Sequence, residues 1–414
     1  MLLVLFALAS CGTRPPPEPS APPPPAAAPA APAPAPLPPP PPPPPPLPPL
    51  LPHNEAVLSA ATQLLDKANL SAQAPSARYT LLVDPLIDGV TRMQTKATQA
   101  MEGSITALVK SNYPKFEVKP FNATNLAQSP LLVVGTFTPI NQLGKTEGER
   151  EAYRFCLVMV DLKSGHLVSK AVMRSRMENV DAAPLPFFAD APGWTRDPVS
   201  EGYVKTCQAS KPGDAIQPGY VEALVAASLT DEGIRAYNAR HYKDALALFT
   251  KAQQSSGGPQ LRVLTGLYLA QTRLGQRDAA AKSFAQLVDF GLGQGALAMQ
   301  FTFANGATVL PPDTASAPNG LWIKVIARQL DERKACVEIG GHASRGGPEP
   351  INERLSSLRA EHVRRRLIDE APGLNKRLIA AGYGSRANLV GTGRDDASDQ
   401  LDRRVELKLL DCGT

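Results

Sequence analysis

Apolar residues at Val57, Ala60, Ala61, Leu64 and Leu65 recur at helical spacing, so Ala56 to Leu70 is expected to form an amphipathic helix. Tyr79 to Asp84 reads as a strand. Gln94 to Asn112 reads as a helix with Ala97, Met101, Ile105 and Leu108 on one face, and Leu131 to Phe137 as a buried strand. Tyr153 to Asp161 and His166 to Met173 flank Lys163, Ser164 and Gly165, a turn of hairpin type. Residues 54–215 are therefore expected to form a small α/β domain. His166 lies close to Asp161 and Ser164, but Asp, Ser and Gly belong to tight turns for their own reasons, so the trio does not read as a nucleophile set. The stretch from Pro184 to Pro198, with Phe187, Phe188 and Trp194, is expected to be a surface loop.

From 219 to 289 the spacing is helical throughout and repeats at about 35 residues. Gly233, Tyr237, Tyr242, Ala245, Phe249 and Ala252 form a first copy, and Gly275, Ala280, Phe284 and Leu287 a second, in which Tyr268 stands at a small-residue place. The spacing resembles the tetratricopeptide repeat, whose small residues let two antiparallel helices approach while aromatics fill the gap. These are packing positions, and a pair of repeats must lean on a neighbouring domain or a partner protein. In the last region, Gln300 to Phe303 alternates as a strand, Asn319 to Leu330 is amphipathic, and Cys336 to Gly340 is a strand. Asn352 to Ile368 is a helix with Leu355, Leu358, Val363 and Leu367 as its buried stripe. Leu374 to Ala381 is expected to be a short helix, Leu389 to Gly391 an edge element, and Arg404 to Leu410 the closing strand. The alternation makes 297–414 an α/β sandwich and the whole chain a mixed α/β, multidomain protein.

Composition changes the picture at the N-terminus. Met1 to Ser10 is apolar but too short to span a bilayer, and it stops at small residues before Cys11, as a secretory signal does. Leu8, Ala9, Ser10 and Cys11 resemble the lipobox of bacterial lipoproteins, which implies cleavage after residue 10, lipidation of Cys11 and a membrane anchor. With Gly12 rather than Asp after the Cys, the resemblance points to the outer membrane. Residues 11–52 are nearly all Pro and Ala, a composition that cannot bury a core and favours an extended stalk reaching on the order of 120 Å. The net charge of +5 is spread among interleaved acids and bases, so no basic stripe suggests nucleic acid. Besides Cys11 the chain has Cys156, Cys207, Cys336 and Cys412, without metal-ligand spacing. In an oxidising compartment they favour the pairs Cys156–Cys207 and Cys336–Cys412, although four cysteines allow three pairings. No activated nucleophile, motif-borne carboxylate pair, metal cluster, cofactor box or phosphate loop stands out, so the chain reads as non-catalytic.

One constellation carries chemistry. Phe301-x-Phe303, Gly341 and His342, Asn352 with Leu355 and Ser356, Arg359 and Ala360, Gly382-Tyr383-Gly384, Gly391-x-Gly393 and Arg403 to Glu406 resemble the OmpA-like peptidoglycan-binding domain in order and spacing. The resemblance implies noncovalent binding of the diaminopimelate-bearing stem peptide, with Asn352, Arg359 and Arg403 at ligand-contacting places. Asn352 and Arg359, seven residues apart, fall about 20° apart around a helix and so share a face. A guanidinium fork suits a carboxylate. Where the family has Thr-Asp, this chain has Ala343 and Ser344, which removes the carboxylate that would pair with the ligand's ammonium. Asp402 stands where the family has Asn and is expected to pair with a neighbouring Arg. Three readings stay open: weakened diaminopimelate binding, a stem peptide of different chemistry, or a fold kept for protein contacts. The chain is thus expected to be an outer-membrane lipoprotein facing the periplasm that holds peptidoglycan and recruits an envelope protein through its helical repeats, or else a scaffold that has lost the ligand.

Overall fold

The computed structural model describes residues 47, 49–70, 77–128, 130–257, 260–301, 303, 306–314, 318–394 and 396–412, with Gln400 described by its backbone alone. The expected signal segment 1–10, Cys11 and the expected stalk up to Pro46 lie outside the described residues, as does Thr302 within the Phe301-x-Phe303 motif. Among the described residues no helix is long and apolar enough to cross a membrane.

The N-terminal half runs β1 (Leu50–Leu51), α1 (His53–Asp66), β2 (Tyr79–Val83), β3 (Ile87–Asp88), α2 (Lys96–Asn112), β4 (Phe116–Val118) and α3 (Ala123–Leu126). Three long strands follow, β5 (Leu131–Ile140), β6 (Ala152–Asp161) and β7 (His166–Ser175). They form one sheet in the order β1-β7-β6-β5-β2-β4, with β3 beside β5. After α4 (Pro186–Ala189) and β8 (Gly193–Trp194) come α5 (Pro198–Gln208) and α6 (Pro218–Val221). One sheet face carries α1 and α2, whose Leu64, Met101 and Ile105 join Val133, Phe137 and Phe155 in a core. The other carries α5, whose Tyr203, Val204 and Cys207 join Leu132, Val134 and Val158. Successive strand residues point to opposite faces, and both faces are covered, so β5 is buried along its whole length. That is why it reads as an unbroken apolar run and not as an alternation.

Asp161 pairs with His166 across the predicted hairpin, Gly165 takes φ +73°, and the Asp161 carboxylate accepts the Lys163 N–H at 2.9 Å. The histidine is exposed and its neighbours close the turn. Cys156 on β6 is joined to Cys207 on α5, with Cα atoms 5.9 Å apart. The expected surface loop at Pro184 to Pro198 is instead structured. Phe187 and Phe188 are buried, Phe187 stacks on Phe249 at 5.7 Å, and β8 pairs with a strand of the C-terminal sheet. The high Pro content suggested a loop, but Pro186 and Pro198 sit in the first turns of α4 and α5, where a missing N–H costs nothing.

Four helices follow, α7 (Leu224–Asn238), α8 (Tyr242–Gln254), α9 (Leu261–Arg273) and α10 (Arg277–Gly293). Gly233 on α7 and Gly266 on α9 both lie against the Phe249 ring, where an added Cβ would come within 2.8 Å and 2.5 Å of it. Gly266, missed from the sequence, is thus the second close-approach glycine. Gly275 instead occupies the α9–α10 turn at φ +72°, as Arg240 does between α7 and α8 at +64°. The bulky Tyr268 is accommodated because its hydroxyl accepts the Trp322 indole N–H at 2.9 Å, tying the helices to the C-terminal region.

That region contains β9 (Ala296–Met299), α11 (Asn319–Glu332), β10 (Cys336–Gly341), α12 (Glu349–Glu370), β11 (Leu378–Gly382) and β12 (Val405–Leu410). The sheet order is β11-β10-β12-β9-β8, parallel only between β10 and β11. The helices α10, α11 and α12 contribute Phe284, Trp322, Ile326 and Val363 to one core with Val337, Ile339 and Leu407 of the sheet. Cys336 and Cys412 are joined, Cα atoms 5.3 Å apart. Three expectations need correction. The first strand is Ala296–Met299, not Gln300 to Phe303, because the residues that pair with β12 end at Met299. Leu378 to Ala381 belongs to strand β11, paired in parallel with β10, and only Pro372–Leu374 is helical there, as a short 3-10 turn. Leu389 to Gly391 forms no strand, because its N–H groups bond to a side chain, described below.

Candidate peptidoglycan-binding site

The site is built where α12 crosses the ends of β10 and β11. Gly341 and Gly382 permit the crossing, since a Cβ on either would collide with α12, at the Ser356 carbonyl and at Ser357 respectively. The predicted apolar stripe of α12 is shifted. Its inward face is Asn352, Ser356, Arg359, Ala360, Val363 and Leu367, while Leu358 is 44% exposed and Leu355 half-buried. The N-terminal half of the inward face is polar because it lines the site and not the core.

Ser344 follows the end of β10 and is buried. Its turn is pinned from three sides. Ala343 N–H donates to Gly384 O at 2.8 Å, Gly384 N–H donates to Ser356 Oγ at 3.0 Å, and Asn352 Nδ2 donates to Gly347 O at 3.3 Å. Asn352 thus closes the loop that carries Ser344. Arg359, about two turns further along α12, is also buried; its Nε donates to Ala307 O at 2.9 Å and its guanidinium lies 5.0 Å from the Phe303 ring centroid. Burial lowers the Arg359 pKa first, and the nearby Arg403 charge lowers it further. Arg403 Nη2 in turn donates to Asp396 O at 3.3 Å. Two guanidinium groups held within electrostatic reach of each other make a region suited to a carboxylate. The structure therefore places Asn352 at the Ser344 turn and Arg359 beside Arg403.

Among the described residues Asp402 makes no ion pair with an Arg side chain, contrary to expectation, although Arg150 and Arg404 lie within its electrostatic reach. Its buried carboxylate accepts the N–H groups of Leu389 at 2.6 Å, Val390 at 3.0 Å and Gly391 at 2.7 Å, and so fixes the loop before the last strand. Three convergent amides satisfy an anion as well as a guanidinium does. His342 is buried and stacks on Tyr383 with centroids 5.2 Å apart; burial first, then Arg404, lower its pKa to about 3, so it is neutral.

Sequence reading missed a neighbour of the site from the N-terminal half. Arg150, in the β5–β6 connection, is buried; its Nη2 donates to Asn388 O at 3.3 Å and its guanidinium carbon is 3.4 Å from where a Gly391 Cβ would lie. Glu149 beside it is 3.6 Å from Arg345, the residue after Ser344. Nothing local to Glu149 and Arg150 marks them, since the partners are some 200 positions away in the chain. Among the described residues no group of three or more His, Cys, Asp or Glu could hold a metal ion.

The model of the OmpA family matches residues 302–401. No curated protein sequence matches the chain. Solved structures with similarity include the peptidoglycan-associated lipoprotein from Burkholderia pseudomallei, at 21% identity over 29% of this chain and 93% of that one, with a TM-score of 0.25. The periplasmic domain of Helicobacter pylori MotB matches at 17% identity over 28% of this chain and 76% of that one, TM-score 0.25. The cell wall anchor of the T6SS from Pseudomonas aeruginosa matches at 21% identity over 28% of this chain and 80% of that one, TM-score 0.24. Residues 302–401 of this chain are an OmpA-family domain.

Proposed function

We propose that this chain is a non-catalytic envelope lipoprotein, anchored through Cys11 in the outer membrane, whose OmpA-family domain holds the peptidoglycan stem peptide. Its regions at 54–215, 219–289 and 297–414 would act as an α/β domain, a tetratricopeptide-like helical pair that meets an envelope protein, and the wall-binding domain. The observation that supports the reading is that Asn352 closes the loop carrying Ser344 while Arg359 lies within electrostatic reach of Arg403, with Ser344, Asn352 and Arg359 inside the segment 302–401 that matches the OmpA family and Arg403 just beyond it. The Arg359 and Arg403 side of the site is suited to the ligand's carboxylate, while Ser344 offers a hydroxyl to its ammonium. A hydrogen bond involving a charged group is worth about 1.5–3 kcal/mol, so exchanging a carboxylate for a hydroxyl weakens binding roughly ten- to a hundred-fold. The test is co-sedimentation of the protein with purified sacculi, competed with diaminopimelate. Pelleting that Arg359→Ala reduces supports the reading, and no pelleting at all refutes it.

A second reading is favoured by the Glu149 and Arg150 contacts, which tie the ligand turn to the N-terminal half of the same chain. On that reading the domain is kept as part of an interaction scaffold. Partners captured from the envelope would then depend on residues 219–289 and not on Arg359.

A further inference from the structure

Among the described residues, α10, α11 and α12 pack against the Val337, Ile339 and Leu407 face of the C-terminal sheet. On the other face, a cleft of about 500 Å³ runs between Trp194 and Tyr383, in the size range of small-molecule sites. Across its floor Trp194 pairs with Ala298, Ala298 with Glu406, and Glu406 with Gly340 on β8, β9, β12 and β10, so the small Ala298 and Gly340 flank the Glu406 carboxylate. A Cβ on Gly340 would lie 3.0 Å from Cε2 of Tyr383, so the glycine lets that ring lie close over the strand. Both aromatic walls are held in place. The Trp194 indole N–H donates to Thr91 O at 2.6 Å, while Tyr383 stacks on His342 and its hydroxyl bonds Glu338 at 2.5 Å.

The polar groups between the walls alternate in sign. Glu406 is paired with Arg404 at 3.1 Å, and Glu338 stands opposite Lys408 in the strand register. His342 and Arg404 are both over nine-tenths buried and line this cleft, and His342 Nδ1 and Arg404 Nη1 have no hydrogen-bond partner among the described residues. Buried polar atoms are rarely left so, and their presence here calls for a partner.

We propose that this cleft binds a saccharide chain through the Trp194 and Tyr383 rings and the carboxylate and cationic groups between them. An apolar ligand would strand the charged lining, and a simple anion or cation would meet like charges as well as opposite ones, since Arg196, Arg404 and Lys408 line the cleft with Glu338 and Glu406. A neutral pyranose avoids both penalties, since its C–H faces lie on aromatic rings while its hydroxyls donate to Glu338 and Glu406 and accept from Arg404 and Lys408. The site lies on the sheet face opposite α12, apart from Arg359, so it stands independently of the stem-peptide reading.

Of the two tryptophans, Trp322 is buried in the core, so Trp194 reports on the cleft. The experiment is a fluorescence titration of the full chain with trimers of β-1,4-linked N-acetylglucosamine and of β-1,4-linked glucose, neither of which carries a peptide. The expected result is a saturable change with at least one trimer, weakened about fivefold or more by Tyr383→Ala and kept within about twofold by Tyr383→Phe. Diaminopimelate should not displace the trimer. No saturable change with either trimer, an unaltered titration in Tyr383→Ala, or displacement by diaminopimelate would each overturn the proposal.

Discussion

Arg345, the residue after Ser344, lies 3.6 Å from the carboxylate of Glu149 in the β5–β6 connection. The turn at the candidate ligand site is therefore fastened to the N-terminal half, and the neighbouring Arg150 adds the bond to Asn388 O from a buried position. Removing Arg150 leaves that carbonyl without its cation, so Arg150→Ala should cost about 1–3 kcal/mol. Hydrogen exchange should also quicken at residues 388–394. Unchanged exchange there would show that the contact does not hold the loop.

Ser344→Asp should strengthen diaminopimelate binding by about ten- to a hundred-fold, the reverse of the loss argued above. Isothermal titration of the purified protein with diaminopimelate measures it directly. An affinity that does not move would mean the Ser344 side chain does not meet the ligand's ammonium.

Three carboxyls, the buried Asp84 and Asp231 and the half-buried Glu102 on α2, predict a pH dependence. Burial is the first cause in each case, and it pushes Asp84 up to about 7, Glu102 up to about 8 and Asp231 up to about 6. Tyr220 bonds Asp84, the Leu86 N–H donates to Glu102 at 2.7 Å, and Arg235 pairs with Asp231 at 2.5 Å, with Arg262 also acting on Asp84 and Asp231. Unfolded carboxyls titrate near 4, so the folded state binds more protons between roughly pH 4 and 8. Their contribution is complete below the unfolded value and is lost as pH rises through the folded ones. The depressed values of His53, His342 and His362 act oppositely, and only as pH falls below about 6.5. Tm should therefore fall between about pH 6.5 and 8.5, and Asp84→Asn should flatten the fall. Calorimetry across that range would contradict this if Tm rose or the slope were unchanged in the variant.

Two glycines should respond in opposite directions to alanine. Gly341→Ala forces a methyl into the Ser356 carbonyl and should destabilise by about 2–3 kcal/mol. Gly103→Ala, exposed within α2 with nothing within 4 Å of its Cβ position, should stabilise by about 0.4–1 kcal/mol. Denaturant titration of both variants decides it, and equal effects would mean that the β10 approach to α12 is looser than described.

Elements with strong local periodicity were legible. The hairpin at Asp161 to His166, α2 and α11 follow from alternation, turn residues and apolar spacing alone. The α12 stripe was misread because Asn352, Ser356 and Arg359 face inward, where an apolar rule assigns only Leu and Val. β11 was misread because Leu378 to Ala381 has no alternation of its own and is a strand only by pairing with β10.

The sequence by itself determined what depends on neighbours along the chain: helix and turn chemistry, the mixed α/β class, and the order of residues that resembles the OmpA family. Tertiary structure alone decided what depends on distant residues. It assigned Asp402 to three backbone amides instead of an arginine, brought Glu149 to Arg345 beside Ser344 and Arg150 to the loop at Asn388, and set Trp194 across the sheet from Tyr383. A carboxylate or guanidinium is satisfied by whichever partner the fold brings within about 3 Å, and spacing in sequence carries no record of that choice.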